Sequence, residues 1–208
     1  MRKYFLSILL LLIVQVSFSQ NKYLGTAKKD YVVTISTSLG DIDLILYDET
    51  PKHKENFLKL VEKKFYDSTT FHRIIKGFMI QGGDPNSTDA DPYNDGMGGP
   101  GYTVPAEFNP KFTHNQGSLA AARMGDQVNP NKESSGSQFY IVENKEGTHF
   151  LDNNYTVYGK VIKGIEVVSK IAEQPKDGRD RPTSDIRMKV TAKLLKKKKI
   201  KKMYGEVY

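Results

Sequence analysis

Within residues 71–84, an arginine, a methionine and a glutamine are spaced so that one face of a bent strand could carry all three. Alternate residues of a strand share a face, which groups Arg73 with Ile75 and, after the central bend, Met79 with Gln81. A guanidinium keeps its proton and presents a fixed fork of donors. Such a face would offer hydrogen-bond donors, and a charged arginine is rarely aimed inward without a partner. The periodicity alone also fits an edge-strand arginine whose side chain reaches into water.

Several other kinds of chemistry are excluded or disfavoured by composition. The chain has no Cys in its 208 residues, which excludes disulfides, thiolate nucleophiles, thiolate metal sites and lipidated cysteine anchors. Its four histidines are widely spaced and lack a metal-binding pattern, so we interpret them as structural or surface residues; they are His53, His72, His114 and His149.

Three loop motifs suggest other activities but lack the residues that those activities need. Residues 96–101 are rich in glycine, yet no Lys-Ser/Thr pair follows, so we interpret them as a flexible loop and not as a phosphate site. The acidic residues of 84–95 lack the spacing and closing Glu of a calcium-binding EF-hand. Gly136 and Ser137 lack the pattern of a hydrolase nucleophile.

The pattern around these residues predicts short strands and two helices. Residues 31–37 and 41–47 alternate and are joined by a short turn, which predicts a hairpin. Thr50 and Pro51 are typical of a helix start, and the apolar residues that follow define a covering helix. A second helix is predicted over residues 164–173.

Further strands are predicted over residues 70–83, 118–123, 137–142, 156–161 and 186–195. The elements show no alternation of strand and helix. They therefore favour a closed antiparallel barrel capped by the two helices.

Three blocks of the sequence resemble the cyclophilin-type peptidyl-prolyl cis–trans isomerases. The segment FHRIIKGFMIQGGD (71–84) is similar to the signature of that family. Residues 136–141 resemble its G-S-Q-F-F segment, and Phe150-Leu151-Asp152 with residues 158–161 resembles its W-L-D…F-G-K-V segment. The blocks occur in the family's order, and the resemblance covers residues 31–193. It implies a mainly β protein with an eight-stranded barrel.

The resemblance also implies an active site. Arg73 would be the catalytic side chain, and Gln81 and Gln138 would help to orient it and the bound peptide. The main chain of Ala122 and Arg123 would pair with the substrate backbone. The proline pocket and its rim would be formed by Phe78, Met79, Tyr140, Leu151, Phe150 and Tyr155.

The implied activity is acceleration of rotation about X–Pro peptide bonds, with proline-containing unfolded or extended polypeptides as substrates. It needs no cofactor or metal, and we expect a monomer. An alternative is a module of the same fold that binds proline-containing segments without turnover. A more distant alternative is a surface adhesin for which the barrel is a scaffold.

Several positions depart from the pattern of eukaryotic members and resemble bacterial ones. Phe150 replaces a usual Trp, Tyr155 a usual His, Tyr140 a usual Phe and Arg123 a usual Asn. Losing the indole N–H removes one donor. The resemblance therefore implies only weak cyclosporin binding.

The N-terminal residues resemble an export signal. Arg2 and Lys3 precede the apolar residues 4–16, and Ser17 and Ser19 are small residues in the positions that a signal peptidase reads. We expect residues 1–19 to be a signal peptide, residues 20–30 a linker and residues 31–193 the domain, with the mature protein periplasmic or secreted.

Most of the net charge of +7 belongs to the tail, residues 194–208, and the lysine just before it. Seven lysines there face a single acidic residue, Glu206. The simplest interpretation is a solvated or disordered end. The alternative is contact with an anionic surface such as lipid headgroups, polysaccharide or nucleic acid.

Overall fold

The computed structural model describes residues 22–208, so the predicted signal peptide lies outside the described residues. Ten strands are present in this part of the chain: β1 (Lys29–Thr37), β2 (Gly40–Leu46), β3 (Arg73–Ile75), β4 (Met79–Gly82), β5 (Thr103–Val104), β6 (Ser118–Ala121), β7 (Ser134–Ser135), β8 (Phe139–Val142), β9 (Val157–Lys163) and β10 (Met188–Lys196). The α-helices of the same residues are α1 (Pro51–Glu62), α2 (Ile165–Ala172) and α3 (Lys197–Tyr204), and two short 3₁₀ helices cover Pro85–Thr88 and His149–Leu151. None of them is long and apolar enough to cross a membrane.

Eight strands form one antiparallel sheet in the order β10-β1-β2-β9-β6-β8-β4-β3, and β5 pairs with β7 separately. The predicted mainly β, antiparallel architecture is thus confirmed. The two edges of the large sheet are linked by backbone contacts just outside the strands. Thr70 and Arg187 form an isolated bridge, and the N–H of Phe71 donates to the carbonyl of Ile186 at 3.0 Å.

The predicted hairpin is formed by β1 and β2, with Ile35 opposite Ile42. Their alternate side chains Val33, Ile35, Ile42 and Leu44 are completely buried in the main core. The period of two therefore gives each strand one face in the core and one on the outer surface of the sheet.

Helix α1 begins at Pro51 as predicted, but its first turn is capped by a distant residue. The Thr50 side chain makes no capping hydrogen bond. Instead Glu107 accepts from the N–H of Lys52 at 3.1 Å and from that of His53 at 3.0 Å. A carboxylate there satisfies free donors and complements the helix dipole.

Both predicted helices cover the core, and a third helix was not predicted. Phe57 of α1 and Val168 and Ile171 of α2 are buried in it. The two-helix prediction is wrong in number because α3 follows β10 directly. Its residue Ile200 is completely buried against Val32 and Ile45 on the outer face of the sheet.

Both ends of the described chain therefore contain more regular structure than the sequence predicts. Within the expected linker, Lys29 and Asp30 belong to β1, and Tyr23 packs against the core. At the other end, the tail expected to be solvated or disordered continues β10 and forms α3.

Candidate active site

The β3–β4 hairpin positions Arg73 on the outer face of the sheet. Arg73 lies opposite Gln81, and Ile75 lies opposite Met79. Between them Ile74 points into the main core, where it is completely buried. The prediction that the arginine, the methionine and the glutamine share a face is therefore confirmed by the register.

A pocket of about 170 Å³ opens on this face. Its base is apolar, since Met79 and Tyr140 are buried in a second cluster of hydrophobic side chains on the outside of the sheet. Nine of the predicted site residues line it: Arg73, Phe78, Met79, Gln81, Ala122, Arg123, Tyr140, Leu151 and Tyr155.

The two guanidiniums at this pocket differ in their partners. The Arg123 group donates to the carbonyl of Asn154 at 2.8 Å, contacts Asp126 at 2.6 Å, and lies 4.5 Å from the ring centroid of Tyr155. The Arg73 side chain, by contrast, forms no hydrogen bond or ion pair with another residue within 22–208, although its main chain pairs with Gln81 in the sheet. Arg123 is thus fixed by the protein, whereas the donors of Arg73 remain available.

The side chains of the two glutamines bond to each other and not to the Arg73 side chain. Gln81 donates to Gln138 at 3.1 Å, and Gln138 donates to the carbonyls of Gly96 and Gly98 at 2.9 and 2.8 Å. This pair ties the glycine-rich loop to the pocket wall. The expected role of the glutamines in orienting Arg73 has no side-chain hydrogen bond to support it among the described residues.

Gln138 lies in a neighbouring groove of about 690 Å³. The groove and the pocket share Gln81, Ala122 and Arg123 as lining residues. An extended chain with one residue in the pocket could therefore continue into the groove.

The main chain at residues 122–123 offers fewer free groups than expected. The N–H of Ala122 donates to Gln138 and its carbonyl accepts from Ser135, at 3.0 and 2.7 Å. The main-chain groups of Arg123 bond to no other residue in the described part of the chain. The predicted backbone pairing with a peptide therefore rests on Arg123 alone.

Phe150 lies outside the pocket, at its rim. Its side chain is 72% exposed and stacks on Phe78 with ring centroids 5.9 Å apart. Leu151 follows in the same helical turn and lines the pocket.

Three hydrogen-bonded polar side chains lie behind the pocket and were not predicted from the sequence. The Tyr140 hydroxyl lies 2.9 Å from Nε2 of His114, whose Nδ1 is 2.7 Å from Asp152. Burial lowers the pKa of His114, and Asp152 offsets this only in part. Burial also raises the pKa of Tyr140 well above its usual value. The sequence feature that could have indicated this arrangement is Tyr140, which stands where the family usually has Phe, because a buried tyrosine hydroxyl needs a hydrogen-bond partner.

A second buried histidine, His53, contacts Glu107 at 2.7 Å and the Ser134 hydroxyl at 2.9 Å. Ser134 is 1% exposed, so the three form a closed structural cluster and not a hydrolytic site. Residues 22–208 contain no group of three or more histidine and acidic side chains that could hold a metal ion.

The sequence is similar to those of known isomerases, and the matched region contains the residues of this pocket. The family model for cyclophilin type peptidyl-prolyl cis-trans isomerases matches residues 32–193. Peptidyl-prolyl cis-trans isomerase-like 3 of Dictyostelium discoideum is 41% identical over 162 residues, which cover 76% of this chain and 91% of that protein. Peptidyl-prolyl cis-trans isomerase-like 1 of Neurospora crassa is 38% identical over 161 residues, covering 75% and 90%.

A solved structure is also similar. The cyclophilin type peptidyl-prolyl cis-trans isomerase of Cryptosporidium parvum, crystallised in the presence of the dipeptide Ala-Pro, has a TM-score of 0.67 and 31% identity. The match covers 77% of this chain and 97% of that one. These relatives are eukaryotic, so the bacterial character expected from single positions stays a prediction. The chain belongs to the family of cyclophilin-type peptidyl-prolyl cis–trans isomerases, and its activity is the interconversion of cis and trans X–Pro peptide bonds.

Proposed function

We propose that Arg73 is the catalytic side chain of this isomerase and that its substrates are proline-containing segments of exported proteins during folding. One observation carries the assignment. Arg73 is a guanidinium without an internal partner among residues 22–208, and it borders an apolar pocket. The second guanidinium of the pocket, Arg123, is already bonded to Asn154 and Asp126.

The proposed chemistry follows from the peptide bond itself. Rotation about X–Pro crosses a barrier of roughly 18–20 kcal/mol because amide resonance is lost as the C–N bond twists. The imide nitrogen then regains a lone pair. A donor aimed at that nitrogen favours the twisted state over both planar states, which is differential binding of the transition state. A charged hydrogen bond contributes about 1.5–3 kcal/mol, or one to two decades of rate.

The pocket supplies the remaining rate acceleration by holding the proline ring away from water. Met79, Tyr140 and Leu151 offer apolar surface, and Phe78 with Phe150 encloses one side. Removing water disfavours the polar planar amide more than the twisted one. The main chain of Arg123 would hold the residue before proline while the far side rotates, which adds orientation. The crystal structure of the Cryptosporidium relative in the presence of the dipeptide Ala-Pro supports a proline ligand for such a fold.

The exported setting is supported by residues 1–19 alone, since their charge and apolar pattern is that of a secretory signal. We propose a periplasmic or secreted monomer. We also propose that the sheet closes as a barrel, supported by the Thr70–Arg187 bridge between its edges.

An isomerisation assay with a proline tetrapeptide tests the catalytic proposal. The wild type should accelerate cis–trans exchange, and Arg73→Ala should lose at least about tenfold, the low end of one charged hydrogen bond. Lys76→Ala is the matched control, because Lys76 is an exposed cation three residues away whose partner is Glu173. An equal loss in both variants, or none in Arg73→Ala, would refute the role. A wild type that binds the peptide without turnover would indicate the binding-module alternative.

A further inference from the structure

Helix α3 presents four exposed lysines from a rigid position on the sheet. Lys198, Lys199, Lys201 and Lys202 are all exposed, and we call these four the lysine face. Only Lys201 has an acidic partner within residues 22–208, namely Glu206. The face is therefore a compact, mostly unneutralised positive patch.

The helix that carries this patch is held by its opposite side. Ile200 and Val207 are buried against Val32 and Ile45. The Tyr204 hydroxyl donates to Asp43 at 3.0 Å. Ile200 and Tyr204, four residues apart, share the inner side of α3, and Val207 anchors the chain just beyond the end of the helix.

Docking is required because α3 would not form alone. A helix of eight residues is marginal in water, and like charges four residues apart, such as Lys198 and Lys202, destabilise it further. Lys196, at the base of α3, also lies opposite Lys29 in the β1–β10 register. The fold thus holds repelling charges together.

We infer that the lysine face binds the surface of a bilayer containing anionic phospholipids. Clustered lysines on a helix are attracted to acidic headgroups, and Met203 on the same helix is 53% exposed and could enter the headgroup region. This assignment is independent of the catalytic proposal for Arg73.

The residue types favour lipid over nucleic acid. Residues 188–208 contain no arginine, the residue best suited to bidentate phosphate contacts. They also offer no free aromatic ring for stacking on bases. Tyr204 is bonded to Asp43, and the ring of Tyr208 lies 4.7 Å from the Lys197 ammonium.

The sheet order keeps the pocket away from such a membrane. α3 packs on β1 and β2, whereas the pocket lies over β3, β4 and β8 on the other half of the sheet. The bound enzyme should therefore turn over a soluble proline peptide at the rate of the free enzyme. Loss of activity on vesicles would place the bilayer at the pocket and overturn the assignment.

Vesicle co-sedimentation of the full chain at physiological salt tests the inference. The patch variant changes all four lysines of the lysine face to Gln, which preserves helix propensity. The control variant changes Lys52, Lys63, Lys145 and Lys170 to Gln, four exposed lysines elsewhere, with the same change in net charge. Both variants keep residues 1–21, so any contribution of that segment is equal.

Each lysine near an anionic surface contributes about a fivefold change in partition. We expect the patch variant to bind phosphatidylcholine–phosphatidylglycerol vesicles at least about 50-fold more weakly than the wild type, and the control variant to stay within about fivefold. Unchanged isomerase activity of both variants would show that they are folded.

Besides a loss of activity on vesicles, three binding results would overturn the inference. The first is an equal loss of vesicle binding in the patch variant and the control variant. The second is wild-type binding to pure phosphatidylcholine vesicles that equals its binding to the anionic vesicles. The third is patch-dependent binding to duplex DNA or heparin that is tighter than binding to the anionic vesicles at the same concentration of negative charge.

Discussion

Individual residues around the pocket divide into those that the protein has fixed and those left available to a ligand. Arg123 belongs to the first group through Asn154, Asp126 and Tyr155. Arg73 belongs to the second. Both arginines could be found from sequence, but their different bonding could not, because it depends on segments distant along the chain such as residue 154.

Tyr140→Phe should distinguish the role of the Tyr140 ring in the pocket wall from that of its hydroxyl in the hydrogen bond to His114. The change leaves Nε2 of the buried His114 without its partner and should lower the free energy of unfolding by about 1–3 kcal/mol. The aromatic ring stays, so the isomerisation rate should remain within about threefold. Urea unfolding and the peptide assay measure the two effects. A tenfold loss of rate in a folded variant would mean that the hydroxyl takes part in catalysis.

Phe150→Trp should strengthen cyclosporin binding. Phe150 is exposed and stacks on Phe78 at the rim, so a larger ring can be accommodated there. The added indole N–H supplies a donor that contributes about 0.5–1.5 kcal/mol, or roughly a 2- to 10-fold gain in affinity. Isothermal titration calorimetry measures the gain, and unchanged affinity would contradict the explanation.

At the scale of elements, periodicity predicted the strands and helices whose apolar pattern is local in the sequence. The β1–β2 hairpin, α1 and α2 were expected from periodicity, and all three are present. Helix α3 was not expected because its composition is that of a solvated tail. Its order comes from two apolar residues, Ile200 and Val207, that meet Val32 and Ile45 only once the sheet has formed. The cap of α1 by Glu107 is another long-range contact without a local signal.

Ile200→Ala tests whether α3 belongs to the domain. The side chain is completely buried, so its truncation should cost about 2–5 kcal/mol of unfolding free energy. Met203→Ala is the control on the same helix. Met203 is 53% exposed, and its replacement should change stability by no more than about 0.5 kcal/mol. Equal midpoints of urea unfolding for wild type and Ile200→Ala would mean that α3 is detached in solution.

At the scale of the whole molecule, the pocket of the proposed active site and the lysine face occupy different halves of one sheet. The lysine face lies on α3 over β1 and β2, and the pocket lies over β3, β4 and β8. This separation should allow the two proposed functions to be changed independently. From sequence, the basic residues were visible but their placement relative to Arg73 was not, because it follows from the strand order.

Global stability should fall on mild acidification. His72 is 6% exposed, and neither ring nitrogen has a hydrogen-bond partner within residues 22–208. Burial lowers the pKa of His72, which the nearby Asp84 and Asp95 oppose and the nearby Arg73 and Arg181 reinforce. Burial likewise lowers the pKa of His114.

The unfolded chain therefore binds more protons than the folded one below the ordinary histidine pKa of about 6.5. Stability should be constant above about pH 6.5 and should fall below it, by at most about 1.4 kcal/mol per pH unit for each histidine. Urea unfolding between pH 5 and 8 measures this, and His72→Leu should be less pH-dependent. A decline of the same slope in His72→Leu would exclude His72 as its source.

The central claim is that Arg73 stabilises the twisted imide more than either planar form. Exchange NMR on a proline peptide, with wild type and Arg73→Ala, measures both the isomerisation rate on the enzyme and the affinity for each isomer. We predict that the rate falls at least about tenfold while the affinities change less than about threefold. A loss of affinity as large as the loss of rate would contradict the account, because Arg73 would then bind the ground state and the transition state alike.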